Sequence, residues 1–233
     1  MSVPALGLIV VAAFIHAYWN LLVKRADGGP AFVWLYSLTS AVIYAPAVAL
    51  IIVLDPPRYD ALQWLIILVS GILHLLYAIT LSHGYRVADL SVVYPLARGT
   101  GPLFACVFAI VILGERPSAL GLAGIALIIA GIFLIAASSL TSLIATGSRH
   151  RGFTYGVLTG LCIASYTVND AYAVKFLLVS PILLDYFGNL ARLVFLTPSV
   201  VTARETASEQ WRRNARLGIA VGALVPLSYI LAL

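Results

Sequence analysis

The sequence predicts an all-α, polytopic membrane protein of about eight helices. Composition is the first sign: 62% of the residues are hydrophobic and only 10% charged, where soluble domains carry about 25% charged residues. Mean hydropathy is correspondingly high, at +1.03. The second sign is a set of apolar runs of about 20 residues, each long enough to cross a hydrocarbon core of about 30 Å at about 1.5 Å per residue. The third is the run 91–113, SVVYPLARGTGPLFACVFAIVIL, which places Arg98 at membrane depth. The formal net charge of +5 does not point to nucleic acid, because Lys and Arg stand singly or in small groups between apolar runs, as loop charges do.

Cutting the chain at charged and Pro/Gly-rich breaks gives helices over 3–23, 31–54, 62–83, 88–113, 118–138, 153–174, 180–202 and 215–233. The first is expected to stay in the membrane: it has no basic flank, exceeds the length of a signal h-region and contains His16, Trp19 and Asn20. Most connections are too short for a soluble domain. The two longer ones are 139–152 and 203–214, and the second mixes both charge signs around Trp211, a composition suited to the membrane interface. Cys106 and Cys162 lie inside apolar runs without ligand spacing and read as small buried hydrophobes. A faint internal repeat pairs Ala17-Tyr18 with Ser165-Tyr166 and Tyr77 with Tyr229 at offsets near 150. The division expected from it is a first five-helix repeat over 1–138, a connecting loop over 139–152 and an incomplete second repeat over 153–233. An odd number of helices per unit inserts the second unit upside down.

Helix 4 is the focus. Ser91, Tyr94, Arg98, Gly101 and Ala105 share one face, a polar and small-residue stripe. A guanidinium at this depth costs about 2.5–3.5 kcal/mol on insertion scales, so it faces protein or a watery cavity. Pro102 cannot donate to the carbonyl of Arg98, so the helix is expected to kink or loosen there. Arg98 therefore reads as a cavity residue, with a structural ion pair as the competing reading, and Tyr94 one turn away shares the claim. His16 and Asn20 share a face of helix 1, and His74 and Tyr77 sit together in helix 3. Each pair suits proton or solute contacts, or interhelical hydrogen bonds worth about 0.6 kcal/mol apiece. Trp19 suits packing or a cavity wall. Arg192, with Asn189 and Asp185 on its face and Asp170 as a further partner, reads as a structural polar network. Glu115 belongs to the turn before helix 5, with Pro117 expected in that helix's first turn. Gly99-Thr100-Gly101 is no phosphate loop, lacking both the preceding strand and the following Lys.

Tyr94-Pro95-Leu96-Ala97-Arg98-Gly99-Thr100-Gly101-Pro102, followed by Leu113-Gly114-Glu115-Arg116-Pro117-Ser118, resembles the helix 4 to helix 5 signature of EamA-type members of the drug/metabolite transporter superfamily. Tyr18-Trp19-Asn20 with Lys24 is similar to the family's first helix, and Ser165-Tyr166-Thr167 to its counterpart in the second half. The resemblance implies ten helices in two inverted repeats around a central cavity and export of small metabolites or drugs. Helices 9 and 10 of that plan fall beyond Leu233, so the chain is expected to be a shortened version.

The function expected is a secondary transporter, an exporter working by alternating access at the inner (cytoplasmic) membrane, with Arg98, Tyr94, His16, Asn20, Trp19, His74 and Tyr77 as solute-contacting residues. The histidines permit proton coupling. The alternatives are a non-transporting membrane scaffold or receptor, or an inactive fragment of a transporter. An enzyme is disfavoured because neither His-Glu-x-x-His nor Gly-x-Ser-x-Gly occurs. No catalytic residue, cofactor or metal is expected. The partners expected are a small-molecule solute and the lipid bilayer, with a homodimer as an option and no nucleic acid. Orientation is contested: alternate loops hold nine and three Lys plus Arg, which puts the N-terminus outside, whereas the resemblance implies a cytoplasmic N-terminus.

Overall fold

A chain solvated by lipid must satisfy its backbone polar groups internally, which favours helices from end to end. The computed structural model, which describes residues 3–26, 29–88, 90–143 and 149–231, has eight α-helices and, among the described residues, no strand. They are α1 (Val3–Ala26), α2 (Gly29–Leu54), α3 (Ala61–Val87), α4 (Leu90–Ile112), α5 (Ala119–Leu143), α6 (Arg149–Lys175), α7 (Pro181–Thr202) and α8 (Arg204–Ile230). The first four contain stretches long and apolar enough to cross a membrane by length and composition alone.

Three details depart from the sequence expectation. Helix α8 begins at Arg204, so most of the expected 203–214 connection is helical, and the chain breaks at Asn214 (φ −124°, ψ 15°) before the apolar part begins. Asn214 Nδ2 donates to the carbonyl of Ala26 at the end of α1 and to Gln210 Oε1, which holds the break in place. Helix α4 runs uninterrupted through Pro95 and Pro102 instead of opening at Arg98. One missing donor does not end a helix whose flanks are packed, as in other membrane spans. Pro117 lies outside the first turn of α5: Ser118 is the cap, its Oγ accepting from the Gly121 N–H at 3.1 Å. Before it, Gly114 turns the chain out of α4 at φ +67°, a conformation that favours glycine.

By packing, the described chain divides into two compact units, one from 1–72 with 173–233 and one from 73–172. In the first unit, Leu22, Phe32, Leu35, Tyr36 and Val221 form a core between α1, α2 and α8. A second cluster joins Ile67, Ala173, Val179 and Leu184. Its rim is polar but satisfied. Asp60 and Gln63 make a reciprocal capping box at the start of α3, and Gln63 Nε2 also donates to the Leu177 carbonyl. The helices α3 and α7 touch backbone to backbone: a Cβ on Gly71 would lie 2.6 Å from the Gly188 carbonyl oxygen. The expected network around Arg192 is only partly present. Asn189 donates to the Ser37 carbonyl at 2.9 Å, and Arg192 is buried with its Nε lacking a hydrogen-bond partner.

The second unit contains α3 from Leu73, α4, α5 and α6 up to Tyr172. Gly152, Gly156 and Gly160 repeat every four residues along one face of α6, the small-residue spacing that lets helix backbones approach. A Cβ on Gly156 would lie 2.6 Å from Leu96 Cβ, and one on Gly160 would overlap Thr100 Oγ1. Helix α4 thus lies in a groove of α6, and Val92 and Leu96 form the small buried cluster there.

Candidate solute-binding site

With α4 seated on its glycine face, α6 turns an adjacent face to α3. Four contacts run along that seam: His83 stacks on Tyr155, with centroids 6.1 Å apart; Thr80 is hydrogen-bonded to Cys162; Tyr77 meets Tyr166 edge to face at 5.8 Å; and His74 Nε2 lies 4.0 Å from Asp170 Oδ2. Residue numbers fall along α3 as they rise along α6, so the two helices run antiparallel here. Each helix contributes at intervals of three, four or seven residues, the spacing of one helical face. Cys162 is half-buried and hydrogen-bonded rather than an inert core thiol.

At the Asp170 end of the seam, His74 also stacks on Tyr166, with ring centroids 4.1 Å apart and planes 24° from parallel. Asp170 is fully buried, and Asn169 Nδ2 donates to its Oδ1 at 3.0 Å. A separation of 4.0 Å is too long for a direct hydrogen bond from His74 but short for an electrostatic contact when the imidazole is protonated. A buried carboxylate is costly unless it is paired, so a protonatable neighbour matters.

Helix α4 adds the cation. Arg98 sits over the Tyr94 ring, 5.3 Å from its centroid, a cation–π geometry worth about 0.5–2 kcal/mol depending on desolvation. The hydroxyls of Tyr77, Tyr94, Tyr166 and Tyr85 are all within electrostatic range of its guanidinium. A planar guanidinium among phenols can grip a carboxylate or phosphate through paired N–H donors while rings flank the rest of the solute. Among the described residues no cluster of His, Cys, Asp or Glu could hold a metal ion.

Four of the seven residues singled out from the sequence, His74, Tyr77, Tyr94 and Arg98, therefore meet in the second unit. The other three belong to the first. Trp19 Nε1 donates to Ser228 Oγ at 3.0 Å, tying α1 to α8. Its ring meets His16 edge to face at 4.7 Å. Asn20 Nδ2 turns back onto the His16 carbonyl at 2.7 Å, within its own helix. Tyr85 and Asp170 are not among the site residues expected from the sequence, where Tyr166 is a mark of the repeat and of the family resemblance. Their signal was Tyr155, Cys162, Tyr166 and Asp170 at helical spacing beside the glycine face.

A family model described as the EamA-like transporter family matches residues 3–137, more than half of the 233-residue chain. The chain belongs to that family. A search of curated proteins finds no match. The family match covers α1 to α4 and most of α5, including Arg98 and the Gly114 turn. Membership, together with the four long apolar helices, makes this chain an integral multi-pass membrane protein of a family that transports small solutes.

Proposed function

We propose that this EamA-like protein is a secondary exporter of a small metabolite or drug-like solute bearing an anionic group, with Arg98 as the solute's charge partner. The observation that carries the reading is the Arg98 guanidinium held inside the long apolar helix α4, over Tyr94 and among Tyr77, Tyr85 and Tyr166. Burying a cation is costly, and the phenols around it supply dipoles and ring faces that hold it in place. The planar guanidinium can then offer paired N–H donors to the anionic group of a solute. The His74–Asp170 pair is the proton carrier of the same site, because uptake of a proton by either member changes the charge that faces the solute. Alternating access is the rocking of a first five-helix repeat over 1–138 against an inverted, incomplete second repeat over 153–233 in the cytoplasmic membrane. His16, Trp19 and Asn20 of α1, in the first unit, are further solute contacts in this proposal.

The test is flux from proteoliposomes containing the purified protein, using a panel of small carboxylates, phosphates, amines and neutral solutes with and without a pH gradient. Flux of at least one anion, driven by the gradient and lost in Arg98→Ala, is the expected result. A panel in which only cations or neutral solutes move, or in which Arg98→Ala transports every solute as the wild type does, overturns the assignment.

A further inference from the structure

In the first unit, a groove of about 380 Å³ opens between the start of α2, the end of α7 and the start of α8, within the range of about 300–1,000 Å³ typical of ligand sites. Its walls are apolar: Ala31, Leu35 and Leu38 on α2 and Val200 and Val201 on α7. From Ala31 to Leu38 the groove follows α2 for about 10 Å, at about 1.5 Å per residue. Trp34 on this wall is fixed by its Nε1 donating to Thr197 Oγ1 at 3.0 Å.

The remaining wall is different in kind. Arg204, Ser208 and Trp211 stand at i, i+4 and i+7 on α8 and so share the face that lines the groove. Among the described residues the Arg204 guanidinium has no ion pair, and neither the Ser208 hydroxyl nor the Trp211 indole N–H has a hydrogen-bond partner. Glu205 and Glu209 do not line the groove; they share a neighbouring depression with Arg204, Ser208 and Arg212, and Glu209 is 3.5 Å from Arg213. The whole arrangement stands where α7 ends and where α8 has yet to pass its break at Asn214, and Trp and Arg are favoured at that bilayer level.

We infer that this groove is a binding site for one anionic phospholipid, its phosphate on Arg204, Ser208 and Trp211 and the upper part of an acyl chain along Leu35, Leu38 and Val201. The charge decides the lipid class. A guanidinium without an ion pair beside two unpartnered donors, in a groove whose lining holds no carboxylate, attracts a headgroup of net negative charge more than a zwitterionic one. The apolar wall decides against a free anion, since inorganic phosphate leaves it uncovered. The asparagine tether at the break holds the three donors in place before the lipid arrives.

The experiment is native mass spectrometry of the purified protein with phosphatidylglycerol and phosphatidylcholine of identical chains, alongside thermal unfolding with each lipid and with inorganic phosphate. One bound phosphatidylglycerol, favoured about fivefold over phosphatidylcholine as one surface Arg provides, is the expected result, with a raised unfolding temperature that phosphate alone does not reproduce. Arg204→Gln is expected to abolish the preference, while Arg216→Gln, the same charge change outside the groove, keeps it. Should Arg204→Gln fold poorly, Leu38→Trp fills the acyl slot with Arg204 intact and is expected to weaken retention of both lipids. Equal retention of the two lipids, the same stabilisation by phosphate alone, or an undiminished preference in Arg204→Gln would each overturn the site.

Discussion

His74 stacks face to face on Tyr166 while its Nε2 stands 4.0 Å from the buried carboxylate of Asp170. One imidazole thus joins an aromatic contact to an electrostatic one, and the two can be separated. His74→Phe keeps the stack and removes the protonatable nitrogen, whereas Asp170→Asn keeps the shape and removes the charge. If the pair carries the coupling proton, both variants fold, and both lose the dependence of solute flux on the pH gradient. A double-mutant cycle on unfolding is expected to return a coupling of about 0.5–3 kcal/mol for directly interacting side chains. A cycle near zero, with gradient dependence intact in both variants, would reduce the pair to packing.

For Arg98, geometry matters as much as charge. Arg98→Lys retains the positive charge and can still approach the Tyr94 ring, but it loses the planar fork that holds a carboxylate or phosphate at two points. Expected is a well-inserted protein whose flux of the accepted anion falls at least about tenfold, equivalent to losing about 1.4 kcal/mol of a charge-assisted contact. Thermal stability is to be read on the same preparations. Wild-type flux in Arg98→Lys would show that charge alone suffices.

The helices were legible because their signal is length and hydropathy, which lipid enforces without reference to tertiary contacts. All eight appear within a few residues of the expected bounds except α8. Its first turns, Arg204 to Asn214, are as polar as a loop, and only packing against α2 and α7 shows that they form a helix lying at the end of the bundle. Arg98 was legible for the same energetic reason that makes it costly. Asp170 was not, since a carboxylate near the end of a span can snorkel to water, and nothing in its neighbours specifies that it turns inward towards His74. The glycines of α6 were readable in principle, at an exact spacing of four, but their meaning depends on which helix they admit.

The orientation of the chain is open to a direct test. With a cytoplasmic N-terminus, the α2–α3 connection also lies inside, whereas the count of loop charges puts it outside. Asp55 is exposed in that connection. Asp55→Cys is expected to resist an impermeant thiol reagent in intact cells and to react after permeabilisation, with Cys106 and Cys162 replaced by Ala to remove background. Labelling without permeabilisation would establish the charge-based orientation.

The packing of α4 into α6 makes a prediction that separates glycines by role. At Gly156 a new Cβ would lie 2.6 Å from Leu96 Cβ, and at Gly160 it would overlap Thr100 Oγ1, whose hydroxyl already donates to the Leu96 carbonyl at 2.7 Å. Neither neighbour is a free chain end, so α4 must move outward, at a cost of about 1–3 kcal/mol typical of overpacking. The displacement carries Arg98 and Tyr94 with it, because they ride on the same helix. At Gly131 of α5 nothing lies within 4 Å of a new Cβ, and alanine there removes only the conformational freedom of glycine, a gain of about 0.5–1 kcal/mol for a helix interior. Gly156→Ala and Gly160→Ala are therefore expected to lower the unfolding temperature and solute flux together, and Gly131→Ala to leave flux unchanged and stability equal or higher. Glycine substitutions that behave alike at all three positions would mean that α4 and α6 are not held at backbone contact, and the site built on that contact would fall with it.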